Sequence, residues 1–443
     1  MTYKMNIVSN PHPIKVSVPG SKSITNRALL IAALANGKSQ LKGVLFSDDS
    51  RHFVQALIDL GFPVDVDESK KEITITGEHG QIPCVVNGQK IETACGVVNA
   101  DIYVGSAGTA ARFLTAFLGL SNGRFRMDAS EQMRKRPMKE LLIALEELGA
   151  DIIYEEEPYH FPFVIGNSGI KKDEIIIDVD KSSQFLSALL ISSVLFTRDF
   201  CIRVVGHHGM AYVKMTVEMM KQFGADVKCQ MECENDTARF FIQAKEHYAS
   251  QDYAIEPDLS AACYFYAMAP ILKVSSVVLG VPSNSLQGDI AFLDVLKDMG
   301  CKIEMLDGEI TVFPPENGVL KGGSWDVSTF SDQALTLAAL APFADGEVQI
   351  QNVSHIRLQE CDRIHAIIKN LETLGIRATE QDGTITIETG DVHGGLIETF
   401  EDHRVAMSFS LPGLVIDGVE IENPMCCRKT FENYFDVLEE EVY

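Results

Sequence analysis

The chain has 443 residues, 46% of them hydrophobic, roughly twice the length at which a single core stops growing, so two domains are expected. Its 38 Lys and Arg against 62 Asp and Glu give a formal charge of -24, which argues against nucleic acid or an anionic membrane as the main partner.

In chain order, a strand is expected around Lys4 to Val8, followed by amphipathic helices that each end in glycine: Val54 to Gly61, Leu142 to Gly149, Val217 to Gly224, Leu293 to Gly300 and Ile368 to Gly375. These glycines are 88, 75, 76 and 75 residues apart, a repeat of about 75 residues. Alternating runs follow the glycines, such as Ala150 to Tyr154, and Glu309 to Val312 after the Asp307-Gly308 turn. A sixth helix, Tyr434 to Glu439, reaches the C-terminus without its hairpin, so the N-terminal strand is expected to complete that unit.

Each unit holds a second, more apolar helix with a polar first turn, beginning near Ser23, Thr109, Ser182, Ser260, Asp332 and Asp402. Ordinary N-capping explains any one of them. Six together, three carrying cations, point to amide-rich ends suited to anions. In Pro19 to Arg27, Ser23 and Arg27 share a helix face behind Lys22, an arrangement suited to a carboxylate or phosphate. It is not a phosphate loop of the Walker type, because Ser21 and Val16 stand where glycines are needed.

The run Pro19 to Arg27 resembles the N-terminal signature of the 5-enolpyruvylshikimate-3-phosphate synthase family, and further motifs recur in the family's order. They are Gly105-Ser106-Ala107-Gly108-Thr109 with Arg112, Arg136-Pro137, Ser182-Ser183-Gln184, Asp332 as a helix-capping acid, Glu360-Cys361-Asp362-Arg363, Asp402-His403-Arg404 and Lys429-Thr430-Phe431. The resemblance implies an α/β protein with a two-domain inverse α/β barrel-like fold, three βαβαββ units per domain. The N-terminal domain would span 21–252 and the other 1–20 plus 253–443, with hinge crossings near 20 and 249–258 and a cleft that closes around ligand.

The implied reaction moves the enolpyruvyl group of phosphoenolpyruvate to the 5-hydroxyl of shikimate 3-phosphate and releases phosphate, with no cofactor and no metal. Lys22, Arg27, Arg112, Arg136, Arg363, Arg404 and Lys429 would make a positive cleft in an acidic protein. By resemblance, phosphoenolpyruvate would meet Lys22, Ser106, Gly108, Arg136, Gln184, Arg363, Arg404 and Lys429, the arginine forks clamping its oxyanions. Shikimate 3-phosphate would meet Lys22, Ser23, Arg27, Ser182, Ser183, Gln184, Tyr212, Asp332, His355 and Gln359. Asp332 is the candidate base and Glu360 the candidate acid, with Lys22 and Lys429 offsetting charge and His403 relaying a proton or orienting Arg404 or Lys429. The blander alternatives are that Asp332 only caps a helix and Glu360 only pairs with Arg363.

The sequence departs from the family at Ser106 for Asn, His355 for Asn, Gln359 for Lys and Gly209 for Ser, changes that bear on substrate affinity more than on reaction type, and at Phe113 for Pro, which bears on sensitivity to the inhibitor glyphosate. Two other readings compete, a silent shikimate-phosphate-binding protein and the sister transferase acting on UDP-N-acetylglucosamine, whose first helix carries Lys-Asn where this one has Lys22-Ser23. Ten scattered Cys without CxxC spacing read as reduced thiols. With no run of about 18 apolar residues and no signal-like start, a cytoplasmic monomer is expected. His207-His208 lacks metal spacing, Met219-Met220 reads as core, and Glu439 to Glu441 as a solvated tail.

Overall fold

Glycine can close a helix in the left-handed region at no steric cost, and all five punctuating glycines do so. Gly61, Gly149, Gly224, Gly300 and Gly375 have φ of 89°, 112°, 95°, 105° and 86°. The computed structural model describes residues 2–206, 209–232, 237–244, 246–306 and 308–443, so the His207-His208 pair and the Asp307 half of the Asp307-Gly308 turn lie outside the described residues.

One sheet pattern recurs. Strands Ala100–Tyr103 and Arg124–Asp128 pair in parallel, and the second then pairs antiparallel with the hairpin of Phe163–Asn167 and Ala150–Tyr154. The same order appears in Glu174–Asp178, Phe200–Val205, Thr237–Ile242 and Val227–Glu232, and again in Gly323–Asp326, Val348–Gln351, Thr384–Ile387 and Ala378–Gln381. In two further sheets the parallel edge strand comes from far along the chain: Asp252–Ala254 beside Asn36–Lys42, and Ile14–Val16 beside Ser276–Leu279. The sixth is completed by the N-terminus, as Thr2–Lys4 rather than the expected Lys4 to Val8; it pairs antiparallel with Glu420–Glu422, itself parallel to Leu396–Ile397. The longer 88-residue glycine interval holds an added helix, Pro83–Val86, and a hairpin of Ile91–Thr93 with Gly96–Val98.

The chain divides into a continuous unit, Gly20–Ile255, and a discontinuous one, Met1–Pro19 with Glu256–Tyr443. At the first boundary a Cβ on Gly20 would run into the Gly43 carbonyl oxygen, so only glycine fits.

The apolar helices are the cores. Gly108–Leu120 and Leu259–Leu272 are buried along their whole length, and Lys22–Leu34 from Ile24 onward. Each buried Leu, Ile or Phe there contributes about 1.5 to 3 kcal/mol. Met219 and Met220 are core residues, and Glu439, Glu440 and Glu441 are exposed. Among the described residues no helix is long and apolar enough to cross a membrane. One expected helix start needs correction. The buried helix is Ala334–Leu340, and Asp332 lies ahead of it in a 3-10 turn, Ser331–Gln333, and is the N-cap residue of neither element.

Candidate functional site

In the continuous unit the first helix, Lys22–Leu34, is capped by the Ser21 side chain, which accepts from Ile24 N. Lys22 Nζ lies 2.5 Å from Asp49 Oδ2. Asp49 is buried in the first turn of helix Asp48–Asp59, whose entry is fixed by a Ser47–Ser50 capping box. Sequence reasoning missed Asp49, although Ser47-Asp48-Asp49-Ser50 is a readable helix start.

Arg27 is 2% exposed. Its Nε donates to Thr216 Oγ1, Nη1 to the Ser23 carbonyl, and Nη2 to Ser187 Oγ and the Tyr212 carbonyl. Burial lowers the guanidinium to about 10, which leaves it charged at neutral pH. Its hydrogen-bond partners are neutral, so this cation brings a net positive charge to a place next to Ser23 and Tyr212. Phe113, one of the departures, lies under it, with Arg27 Cζ 5.4 Å from the ring centroid.

The start of helix Gly108–Leu120 brings together two further candidate cations, Arg112 and Arg136. A Cβ on Gly108 would come 2.6 Å from Arg136 Nη1 and 3.1 Å from Arg112 Nη1, so the bare glycine is what lets two guanidinium groups reach the helix end. Arg112 Nη1 donates to Gln184 Oε1 at 2.6 Å, and Gln184 Nε2 to Thr109 Oγ1 at 3.3 Å. Arg136 Nε is buried with no partner among the described residues. Ser106 Oγ is 2.7 Å from Ser130 Oγ. Ser182 Oγ accepts from Gln184 N, and Ser183 Oγ fills the space a side chain at Gly209 would need. Gly209 has φ 66°, a conformation that disfavours the family's Ser there.

The discontinuous unit holds a tight ion cluster. Arg363, 2% exposed, donates through Nε to Asp402 Oδ2 and through Nη1 to Asp332 Oδ1, both at 2.8 Å, and Nη1 also meets Gln359 Oε1. Asp332 Oδ2 lies 2.9 Å from Arg404 Nη2, so one carboxylate bridges two guanidinium groups. Burial alone would raise the Asp402 carboxyl, but Arg363 and then His403 hold it below the usual range. Burial alone would lower Arg363, and Asp402 and Asp332 outweigh it. Glu360 pairs with Lys429. His403 is buried, with Nδ1 3.8 Å from Asp402 Oδ1, and His355 Nε2 is 2.8 Å from Ser331 Oγ. Every cation of this cluster therefore touches a carboxylate, and an arriving anion must compete with those carboxylates for them.

A model of the family described as EPSP synthase (3-phosphoshikimate 1-carboxyvinyltransferase) matches residues 10–438. The chain belongs to the EPSP synthase family. Curated relatives named 3-phosphoshikimate 1-carboxyvinyltransferase are 38% identical over 98% of this chain and 97% of the relative in Nostoc punctiforme, and 39% identical with the same coverage in Trichormus variabilis. The fold matches an EPSP synthase structure from Acinetobacter baumannii, with a TM-score of 0.80, 24% identity, and cover of 100% of this chain and 98% of that one.

In this EPSP synthase family member the sequence candidates divide between the units. Lys22, Ser23, Arg27, Ser106, Gly108, Arg136, Ser182, Ser183, Gln184 and Tyr212 lie in the continuous unit, and Asp332, His355, Gln359, Glu360, Arg363, His403, Arg404 and Lys429 in the other. Asp332 is not the N-cap residue of the turn Ser331–Gln333 or of the helix Ala334–Leu340, and Glu360 pairs with Lys429. Gln359, expected toward a substrate phosphate, gives its oxygen to Arg363. Asp289 was also missed, and Cys361, read only as a spacer within its motif, donates its thiol to Asp402 Oδ2 at 3.6 Å.

Proposed function

We propose that this chain transfers the enolpyruvyl group of phosphoenolpyruvate to the 5-hydroxyl of shikimate 3-phosphate and releases inorganic phosphate. The observation that carries the reading is Asp332, a carboxylate held between Arg363 and Arg404 in the unit that also holds the Glu360–Lys429 pair. That is a base, an acid and two anion-binding forks in one cluster.

The roles follow from this chemistry. Arg363 and Arg404, with Arg136 from the continuous unit, bind the carboxylate and phosphate of phosphoenolpyruvate. A carboxylate gripped by two guanidinium groups is a weak base, because both stabilise its charged form. When substrate oxyanions take over those guanidinium groups, Asp332 gains basicity and accepts the proton of the 5-hydroxyl. The alkoxide oxygen then bonds to C2 of phosphoenolpyruvate while Glu360, supplied with a proton by the Lys429 ammonium, protonates C3. The Glu360 carboxylate then takes a proton back from C3 and passes it to Lys429 while the C2–O bond to phosphate breaks, which restores the double bond, and the proton held by Asp332 goes to the departing phosphate. Lys22 offsets charge on the departing phosphate. Ser23 and Arg27 hold the shikimate carboxylate; Ser182, Ser183, Gln184 and Tyr212 hold its phosphate and ring, and His403 orients Arg404.

The test is phosphate release with both substrates present. Release that requires both supports the reading. Substrate binding without release, or release from phosphoenolpyruvate alone, would overturn it.

A further inference from the structure

Asp289 is a buried acid that the transfer chemistry does not use. It lies in the 3-10 turn Gly288–Ala291 and is 3% exposed. Its Oδ1 accepts from Gln333 Nε2 at 2.7 Å, and Gln333 is the neighbour of Asp332 in the turn Ser331–Gln333. The other end of that amide is fixed as well, since Gln333 Oε1 accepts from Thr336 Oγ1 at 2.9 Å. Thr336 Oγ1 is in turn 3.3 Å from Ser408 Oγ, on the helix His403–Phe409 that carries Arg404. Gln333, Thr336 and Ser408 are all fully buried. A line of buried polar contacts thus ties Asp289 to the two elements that present Asp332 and Arg404.

The charges facing Asp289 come from those elements and from the helix Leu259–Leu272. Asp332, and Asp258 at that helix's cap, oppose ionisation of Asp289, while Arg404 and the Gln333 amide favour it. Cys263, from the same helix, donates to the Asp289 carbonyl at 3.7 Å, and burial first, then Asp289 itself, keeps its thiol protonated. Burial, followed by Asp332, lifts the Asp289 carboxyl to about 7.

We propose that Asp289 is a positioning residue for the Asp332–Arg404 pair, and that its proton is linked to anion binding at Arg404. With the proton on, Asp289 anchors Gln333 as a neutral group, and the charge of Arg404 is shared between Asp332 and the incoming anion. With the proton off, a second buried carboxylate competes for the same guanidinium, and the anion binds more weakly. By linkage, anion binding draws a proton onto Asp289. The inference rests on the transferase reading, in which that anion is phosphoenolpyruvate.

The experiment compares the KM for phosphoenolpyruvate in the parent and in Asp289→Asn from pH 5.5 to 9. The substrate phosphate and the other groups of the site titrate in both proteins, so the ratio of the two KM values isolates position 289. The ratio of parent to variant should stay near one below pH 6 and rise about 3- to 10-fold above pH 8, with kcat changed less. A purely structural role would shift the ratio equally at every pH, and a flat ratio overturns the proposal. In the parent labelled with 13C at the aspartate carboxyl carbons, one resonance should titrate near pH 7 and move upward when phosphoenolpyruvate is added. All aspartates titrating below about pH 5 would overturn the proposal even if Asp289→Asn failed to fold. A parent that turns over with a flat ratio refutes only the role of Asp289, whereas a parent that releases no phosphate refutes the transferase reading.

Discussion

Glu360 pairs its carboxylate with Lys429, 69 residues along the chain. That pairing sets a proton-bearing ammonium beside the proposed acid. Glu360→Gln and Asp332→Asn should each keep the fold, by circular dichroism, and lower kcat about 10²-fold or more. Near-normal turnover in either variant removes that residue from proton transfer.

Lys22 and Asp49 make the corresponding pair in the continuous unit, 2.5 Å apart with the Asp49 side chain 4% exposed. Charge-assisted contacts of this kind are worth about 1.5 to 3 kcal/mol. Asp49→Asn should therefore reduce kcat/KM at least about 10-fold through loss of Lys22 placement. Steady-state kinetics beside Lys22→Met checks it; an additive loss in the double variant would show that the two residues act separately.

Gly108→Ala probes the fit at the first helix end of the anion site. The new methyl would press on the tip of Arg136, a flexible side chain, so the thermal midpoint should hold while the KM for phosphoenolpyruvate rises about 10-fold. The KM for shikimate 3-phosphate should change little. Equal effects on both substrates would count against Arg136 as a phosphoenolpyruvate ligand.

Gln359→Lys would return the family's residue to a place where the amide oxygen now meets Arg363. An ammonium there faces a buried guanidinium, at a cost of about 1 to 3 kcal/mol. A lower thermal midpoint and weaker phosphoenolpyruvate binding are expected. Tighter shikimate 3-phosphate binding at unchanged stability would instead place position 359 toward the substrate phosphate.

What the sequence made legible is what is encoded within a turn or two of chain. Gly149 ends its helix because the amphipathic stretch before it and the glycine after it are local facts, and the same holds for Gly61 and Gly375. Ser23 and Gly108 were readable because they lie in the first turn of helices whose apolar bodies follow at once, and Arg27 because it sits one turn beyond Ser23 on the same face. The 3-10 turn at Asp332 was not readable, because contacts to Arg363, 31 residues on, and to Arg404 hold its carboxylate where a helix cap was expected. Asp49 and Asp289 escaped for a similar reason: their partners Lys22 and Gln333 lie 27 and 44 residues away in sequence.

Stability should carry the signature of Asp289. Its native carboxyl is lifted to about 7, against about 3.9 in an unfolded chain. Between those values the native state binds a proton that the unfolded state does not, so this group's contribution falls as pH rises from about 4 to 7 and is flat above. The total is at most about 4 kcal/mol. Asp402, held below its usual range, acts with the opposite sign: its contribution is present above about pH 4 and is lost as pH falls through the native value. Thermal midpoints of the parent relative to Asp289→Asn should therefore decline between pH 4.5 and 7.5. A constant difference would show that Asp289 is ionised in the native state throughout.

The edge strand Ile14–Val16 and the closing strand Thr2–Lys4 both pair with segments translated hundreds of residues later, Ser276–Leu279 and Glu420–Glu422. On the ribosome, residues 20–255 are available as one uninterrupted stretch that can fold as soon as it emerges, whereas Ile14–Val16 must wait, unpaired, for Ser276–Leu279, and Thr2–Lys4 for Glu420–Glu422. The order of assembly is thereby written into the chain: the half bearing Lys22 and Arg136 comes first, and the half bearing Asp332 and Glu360 is completed only when Thr2–Lys4 meets Glu420–Glu422. A fragment of 20–255 should fold alone, while 256–443 should need the 1–19 peptide supplied in trans to gain its two missing strands.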